Sequence, residues 1–159
     1  MGYMLLPIFT SLFFVGLTMQ MQQMTNSGPG AGFSGARETA ALAHAQTVET
    51  YAAACVEAAY AAPGVISANL PVVLPAGVIA PTGSGCITTA GPPGGRYVYA
   101  YAPNSPGAIS QVSGDSGGNA AWYQVLVAGQ AVNALTGSVT TVPQSIPVAS
   151  LLEWVQTKN

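Results

Sequence analysis

The sequence predicts an α+β protein in which one long helix packs on a small antiparallel β-sheet, behind an apolar N-terminal segment. Three observations point there. Small apolar residues recur at helical spacing over residues 36–61. Residues 96–102 alternate strictly between tyrosines and other side chains. Beyond residue 64, most of the 12 prolines and many glycines cut the chain into short β-prone runs.

The first element is the dense apolar run from Tyr3 to Met19, with Met21 just beyond it. The first charged side chain of the chain is Arg37. At about 17–19 residues the run is near the lower limit for crossing a hydrocarbon core of roughly 30 Å. Pro7 stands near its start, where a missing N–H is tolerated. Tyr3 suits one membrane interface and residues 20–23 the other. We therefore expect a membrane anchor over residues 1–24, with residues 3–21 in contact with lipid. A cleaved signal peptide and a buried core helix are the alternatives. A signal would carry a basic n-region and a small-residue cleavage site, and the sequence has neither.

Residues 25–35 are Gly-rich and read as a flexible linker. A phosphate-cradling loop would need a following Lys-Ser/Thr pair, which is missing. Residues 36–159 then form the expected extracytoplasmic domain. Its first part, 36–61, reads as an Ala-rich helix capped by Ser34 or Gly35, with Glu38 in the first turn. Ala41, Ala45, Val48, Ala52, Cys55 and Ala59 make one stripe, with Tyr51 beside it. So many alanines let a partner element approach closely. Pro63-Gly64 ends the helix.

The β-prone runs are 65–69, 72–74, 86–89, 96–102 and 108–112. Tyr97, Tyr99 and Tyr101 share one face of a strand, and Val98 and Ala100 the other. Residues 123–128 and 131–135, joined through Gly129-Gln130, read as a hairpin, with a short helix over 120–127 as the alternative. Residues 150–156 read as a final strand containing Trp154.

Composition narrows the function. The chain has three basic and five acidic residues, 5 % charged, with 50 % apolar residues. An ordinary soluble domain carries roughly 25 % charged residues. Such a surface suits a membrane-attached or multi-subunit component. Arg37, Arg96 and Lys158 are too few and too scattered to neutralise several phosphates, so nucleic acid is not an expected partner. Cys55 and Cys86, in an exported chain, read as one disulfide. The bridge would stabilise the fold by about 3–4 kcal/mol in the chain-entropy model. Two reduced, buried thiols are the alternative. The cysteines also place the domain outside the cytoplasm.

Catalytic readings fare poorly. Gly114-Asp115-Ser116-Gly117-Gly118 matches the pentapeptide around the nucleophile of chymotrypsin-like proteases. That chemistry needs a His base and a separate orienting carboxylate. His44 is the one histidine and Asp115 the one aspartate, so a secreted serine hydrolase using Ser116 is a remote alternative. A Gly-rich turn explains the same residues. A lone His44 cannot assemble the three or four ligands zinc requires. Glu38, Glu49 and Glu57 share one helix with wide gaps, which argues against a paired-carboxylate cleft. Arg96 and Glu153 are a candidate ion pair across the sheet. No catalytic residue, cofactor or metal ligand is expected. Tyr97, Tyr99, Tyr101, Trp122 and Tyr123 are the candidate interface residues, because Tyr and Trp favour partly wet contact surfaces.

The apolar N-terminus, second Ala-rich helix and Pro/Gly-rich β region resemble the layout of the PilM proteins of plasmid-type thin pili (type IVB). The likeness is concentrated in the stretches 127–137 (VAGQAVNALTG) and 142–152 (VPQSIPVASLL). It implies a non-catalytic component of type IVB pilus biogenesis, in the pilin transport apparatus or basal body. It implies a single pass through the bacterial inner membrane with the C-terminal domain in the periplasm. The implied partners are pilin or other pilus-assembly subunits, with oligomers also in scope. A minor pilin or pseudopilin shares the helix-plus-sheet layout. Pilin processing, however, wants a basic leader and a Glu five residues after the cut; Pro7 stands there if Gly2 precedes it.

Overall fold

The computed structural model describes residues 31–158. Two helices and six strands follow in the order α1 (Ala31–Ala61), β1 (Gly85–Ala90), β2 (Gly95–Pro103), α2 (Ala108–Asp115), β3 (Trp122–Val127), β4 (Gln130–Asn133), β5 (Val139–Thr141) and β6 (Ser150–Lys158). The expected anchor over residues 1–24 lies outside the described residues. Among the described residues, no helix is long and apolar enough to cross a membrane.

The α+β class stands. The strands form one sheet in the order β1-β2-β6-β3-β4-β5, antiparallel throughout. The C-terminal strand β6 therefore lies in the interior of the sheet. It zips the β1–β2 hairpin, from Arg96 opposite Thr157 to Pro103 opposite Ser150, onto the β3–β4–β5 meander. The longest-range pairing in the chain closes the sheet.

Helix α1 starts at Ala31, inside the segment expected as a linker, so Ser34 and Gly35 are helical residues and not caps. The chain divides into two compact units, with Ala40–Asn159 the larger. In the first unit, Thr39 Oγ1 donates to the Gly35 carbonyl at 2.8 Å, and residues 34–39 are exposed. Alanine has the highest helix propensity, and one turn of glycines is tolerated within so favourable a sequence.

Within the second unit the predicted stripe is buried. Ala45, Val48, Ala52, Cys55 and Ala59 are at most 1 % exposed. They pack on Val98, Ala100 and Ala102 of β2, Leu151 of β6 and Trp122 of β3. Small side chains on both sides bring helix and sheet close together. Cys55 and Cys86 are disulfide-bonded, with Cα atoms 5.7 Å apart, and fasten α1 to β1.

Arg96 fastens the C-terminal end of α1 one turn beyond Cys55. The residue is 2 % exposed. Nη1 donates to the carbonyls of Ala62 at 2.6 Å and Val65 at 3.0 Å, Nη2 to that of Ala59, and Nε to Thr157 Oγ1 at 3.3 Å. The last carbonyls of a helix lack partners in the helix, and a cation there meets the negative end of the helix dipole. The expected Arg96–Glu153 pair is thus replaced by a side chain that caps a helix. Glu153 lies elsewhere on the sheet, beside Glu49.

Other differences have local causes. Residues 108–112 form part of α2 and not a strand. Ala108 and Val112, four apart, are buried together, a helical spacing. The run 65–69 contributes one bridge, Ser67 with Thr88, and 72–74 pairs with nothing in the sheet. The hairpin at Gly129-Gln130 is present as β3–β4, excluding the helix over 120–127.

Candidate functional site

Alternation along β2, β3 and β6 gives the sheet two unlike faces. One carries α1 and α2. The other carries Tyr97, Tyr99, Tyr101, Tyr123 and Trp154, packed beside Ile87, Val125, Ala131, Val142, Ile146 and Leu152. Residues 142–146 cover one end of this second face, with Val142 and Ile146 buried. Tyr97, Tyr101, Tyr123 and Trp154 remain half-buried.

Trp154 is the hub of the aromatic group. Its ring lies 5.4 Å from Tyr97, edge-on, and 5.5 Å from Tyr123. It lies 6.2 Å from Tyr99, the two planes 5° apart. The register explains the meeting, since Tyr99 stands directly opposite Trp154 and Tyr123 opposite Leu152. At the edge, Gly85 stands opposite Tyr101, and a Cβ there would lie 2.4 Å from the Tyr101 hydroxyl. The glycine gives the ring its place.

Two polar details mark this face. Burial pushes the Tyr99 hydroxyl up from its ordinary range, opposed by a hydrogen bond with Thr89 and reinforced by Tyr97. The indole Nε1 of Trp154 is buried and has no hydrogen-bond partner among the described residues. A buried N–H without an acceptor carries a desolvation cost of about 1–3 kcal/mol.

Of the five aromatic residues singled out in the sequence, four belong to this face. Trp122 does not. It is 4 % exposed and sits in the core beneath the helices, because adjacent strand residues point to opposite sides. Trp154 takes its place, a residue noted as part of the last strand but not grouped with the tyrosines.

The helical side holds a second feature. A pocket of about 530 Å³ opens between α1, the end of α2 and β6. Glu49 and Glu57 of α1, Asp115 of α2 and Glu153 of β6 line it, with Ser116 and Asn119, over an apolar floor that includes Trp122 and Val155. The wide sequence gaps argue against carboxylates sharing a cleft; helix α1 lying on β6 lets four of them line one open pocket. Burial raises the pKa of Glu153, and Glu49 adds to the rise. Burial also raises that of Glu49, with a contribution from Asp115. Oε1 of Glu49 is buried without a hydrogen-bond partner. Among the described residues no three His, Cys, Asp or Glu side chains converge closely enough to hold a metal ion.

The protease-like pentapeptide ends α2. The Ser116 and Gly118 amides donate to the Val112 and Ser113 carbonyls at 3.0 Å. Gly117 and Gly118 have φ of 62° and 77°, the left-handed geometry of a helix stop. His44 does not line the pocket with Ser116. Its Nε2 lies 2.8 Å from the Pro103 carbonyl, which accepts the hydrogen bond.

No family model matches the chain, and no curated protein matches it. Among solved structures, the crystal structure of a protein provisionally named PilM from Escherichia coli B7A is similar to it. The identity is 17 % and the TM-score 0.47, over 74 % of this chain and 92 % of that one.

Proposed function

We propose that the protein is a non-catalytic component of type IVB pilus biogenesis, acting through protein–protein contacts in the pilin transport apparatus or basal body. Residues 3–21 hold it in the bacterial inner membrane, and the α+β domain faces the periplasm. The observation that carries this reading is the resemblance of 127–137 and 142–152 to the PilM proteins. Those residues build the β3–β4 turn, β4, the cover over the aromatic face and the start of β6. The Cys55–Cys86 bond supports an oxidising compartment. The contact surface is the aromatic face, where Tyr97, Tyr101, Tyr123 and Trp154 offer rigid, amphipathic area with little entropy to lose. Its partners are pilin or other assembly subunits.

Photo-cross-linking from positions 97 and 123 in native membranes tests the reading. Adducts with pilus-assembly subunits are expected. Adducts confined to lipid or to proteins outside the pilus machinery would sink it. A minor pilin shares the layout of a long helix on an antiparallel sheet. N-terminal sequencing separates the two, since the assembly component keeps residues 1–24 and a pilin is cut after Gly2.

A further inference from the structure

We infer that the aromatic face receives a second copy of this chain, which docks through its exposed, proline-spaced strap of residues 70–81. The inference rests on the reading of that face as the contact surface, and names its occupant.

The strap lies on the side of the sheet that carries α1. The Leu70 amide donates to the Cys86 carbonyl at 2.7 Å, and the chain then leaves the edge of β1. It runs along α1 in the opposite direction, with residues 73–75 beside Thr50, Ala53 and Glu57, and residues 77–79 beside Ala43 and Thr47. Val73 is 86 % exposed and Ile79 84 %. No charged residue stands between Glu57 and Arg96. Aliphatic side chains left this open, together on one uncharged segment, mark a contact surface.

Pro71, Pro75 and Pro81 give the strap its form. Each fixes its own φ and holds the residue before it extended. The backbone amides and carbonyls of Val72, Val73 and Leu74 make no hydrogen bond among the described residues. This is the condition of a polyproline-type segment, stiff before it binds and with its carbonyls free.

The aromatic face is suited to such a segment. Tyr97 on β2 and Tyr123 on β3 flank Trp154 at 5.4 and 5.5 Å, inclined to the indole by 64° and 58°. Rings set at those angles stand as ridges, and aromatic ridges are what proline-spaced segments recognise. The hydroxyls of Tyr97, Tyr101 and Tyr123 have no hydrogen-bond partner among the described residues. They are donors for the free carbonyls of the strap. On this side of the strands the only charged residue is Lys158, at the end of β6. Neither surface therefore strands an ion on docking.

Both halves of the match belong to one chain, yet they cannot meet within it. The strap flanks α1 on one side of the sheet, and the rings cover the other. The contact is therefore between copies and head-to-tail, leaving one strap and one face free at the ends. A segment this short buries less than a standard interface, which makes the contact a weak one.

The test places a photo-reactive residue at position 80, exposed beside Ile79, in the full chain in native membranes. Adducts of twice the chain mass are expected, mapping to residues 95–103, 122–127 or 150–158 of the second copy. Val73→Asp with Ile79→Asp should cut their yield about tenfold. Both side chains are open to solvent, so the melting temperature should not change. The absence of double-mass adducts overturns the self-docking. So does an adduct that maps to the strap or helix of the second copy, or one that survives the double substitution. The pilus contact is judged separately, by whether position 97 captures assembly subunits.

Discussion

The two faces of the sheet bury apolar surface by opposite means. Beneath α1, β2 presents Val98, Ala100 and Ala102, and the helix answers with Ala45, Ala52 and Ala59. On the far side the same strand presents Tyr97, Tyr99 and Tyr101, which pack on Trp154. Small residues let a whole element approach and fill the space with backbone. Large rings cover the sheet themselves and leave their edges partly open. The helical face is thus committed to the fold, while the aromatic face keeps half-buried rings at its surface. Tolerance to substitution should differ accordingly.

The sharpest break would come at Arg96. Replacing it by Met removes four charge-assisted donor contacts, to the carbonyls of Ala59, Ala62 and Val65 and to Thr157 Oγ1, inside the helical interface. We expect a loss of about 3–5 kcal/mol in denaturant unfolding. A loss under 1 kcal/mol would show that the end of α1 is not held from the sheet. Next comes the disulfide. The Cys55→Ala, Cys86→Ala double variant should lose about 3 kcal/mol, and thiol titration of the denatured, unreduced wild type should find no free thiol. Ala100→Leu inserts bulk under α1 and should cost about 1–3 kcal/mol, read as a lower melting temperature. Smallest is Trp154→Phe. It removes the unbonded indole N–H along with some ring area, so the net change should stay within about 1 kcal/mol. If it destabilises more than Ala100→Leu does, the contrast between the faces is wrong.

Much of this contrast was legible in the sequence. The alanine stripe and the tyrosine alternation are local periodicities, and both ended up on the surfaces they implied. The β3–β4 hairpin announced itself through Gly129. Less local features stayed hidden. Helix α2 reads as a strand because eight residues hold barely two turns of period, and Ala108–Val112 fits either template. Strand β5 is three residues long, only Val139 of them apolar. The grouping of Trp154 with the tyrosines and the meeting of Glu153 with Glu49 both depend on β6 lying between β2 and β3. That pairing joins residues from 25 positions apart (Val125 with Ser150) to 63 (Gly95 with Lys158), and no short window along the chain contains it. Trp122 was misplaced because adjacency in sequence was read as adjacency in space. Arg96 was given an acidic partner because charge pairing is the commoner expectation, although helix ends offer carbonyls that a buried guanidinium can use.

The bond between Cys55 and Cys86 has a mechanical consequence. A chain stretched from end to end would pull through the sulfur atoms, and the segment between them would feel no tension. With a separation of 31 residues, an oxidised molecule should extend about 10 nm less than a reduced one when fully drawn out. The extended stretch that holds Leu70 would then stay slack under load, while tension passed directly from the long helix into the first strand of the sheet.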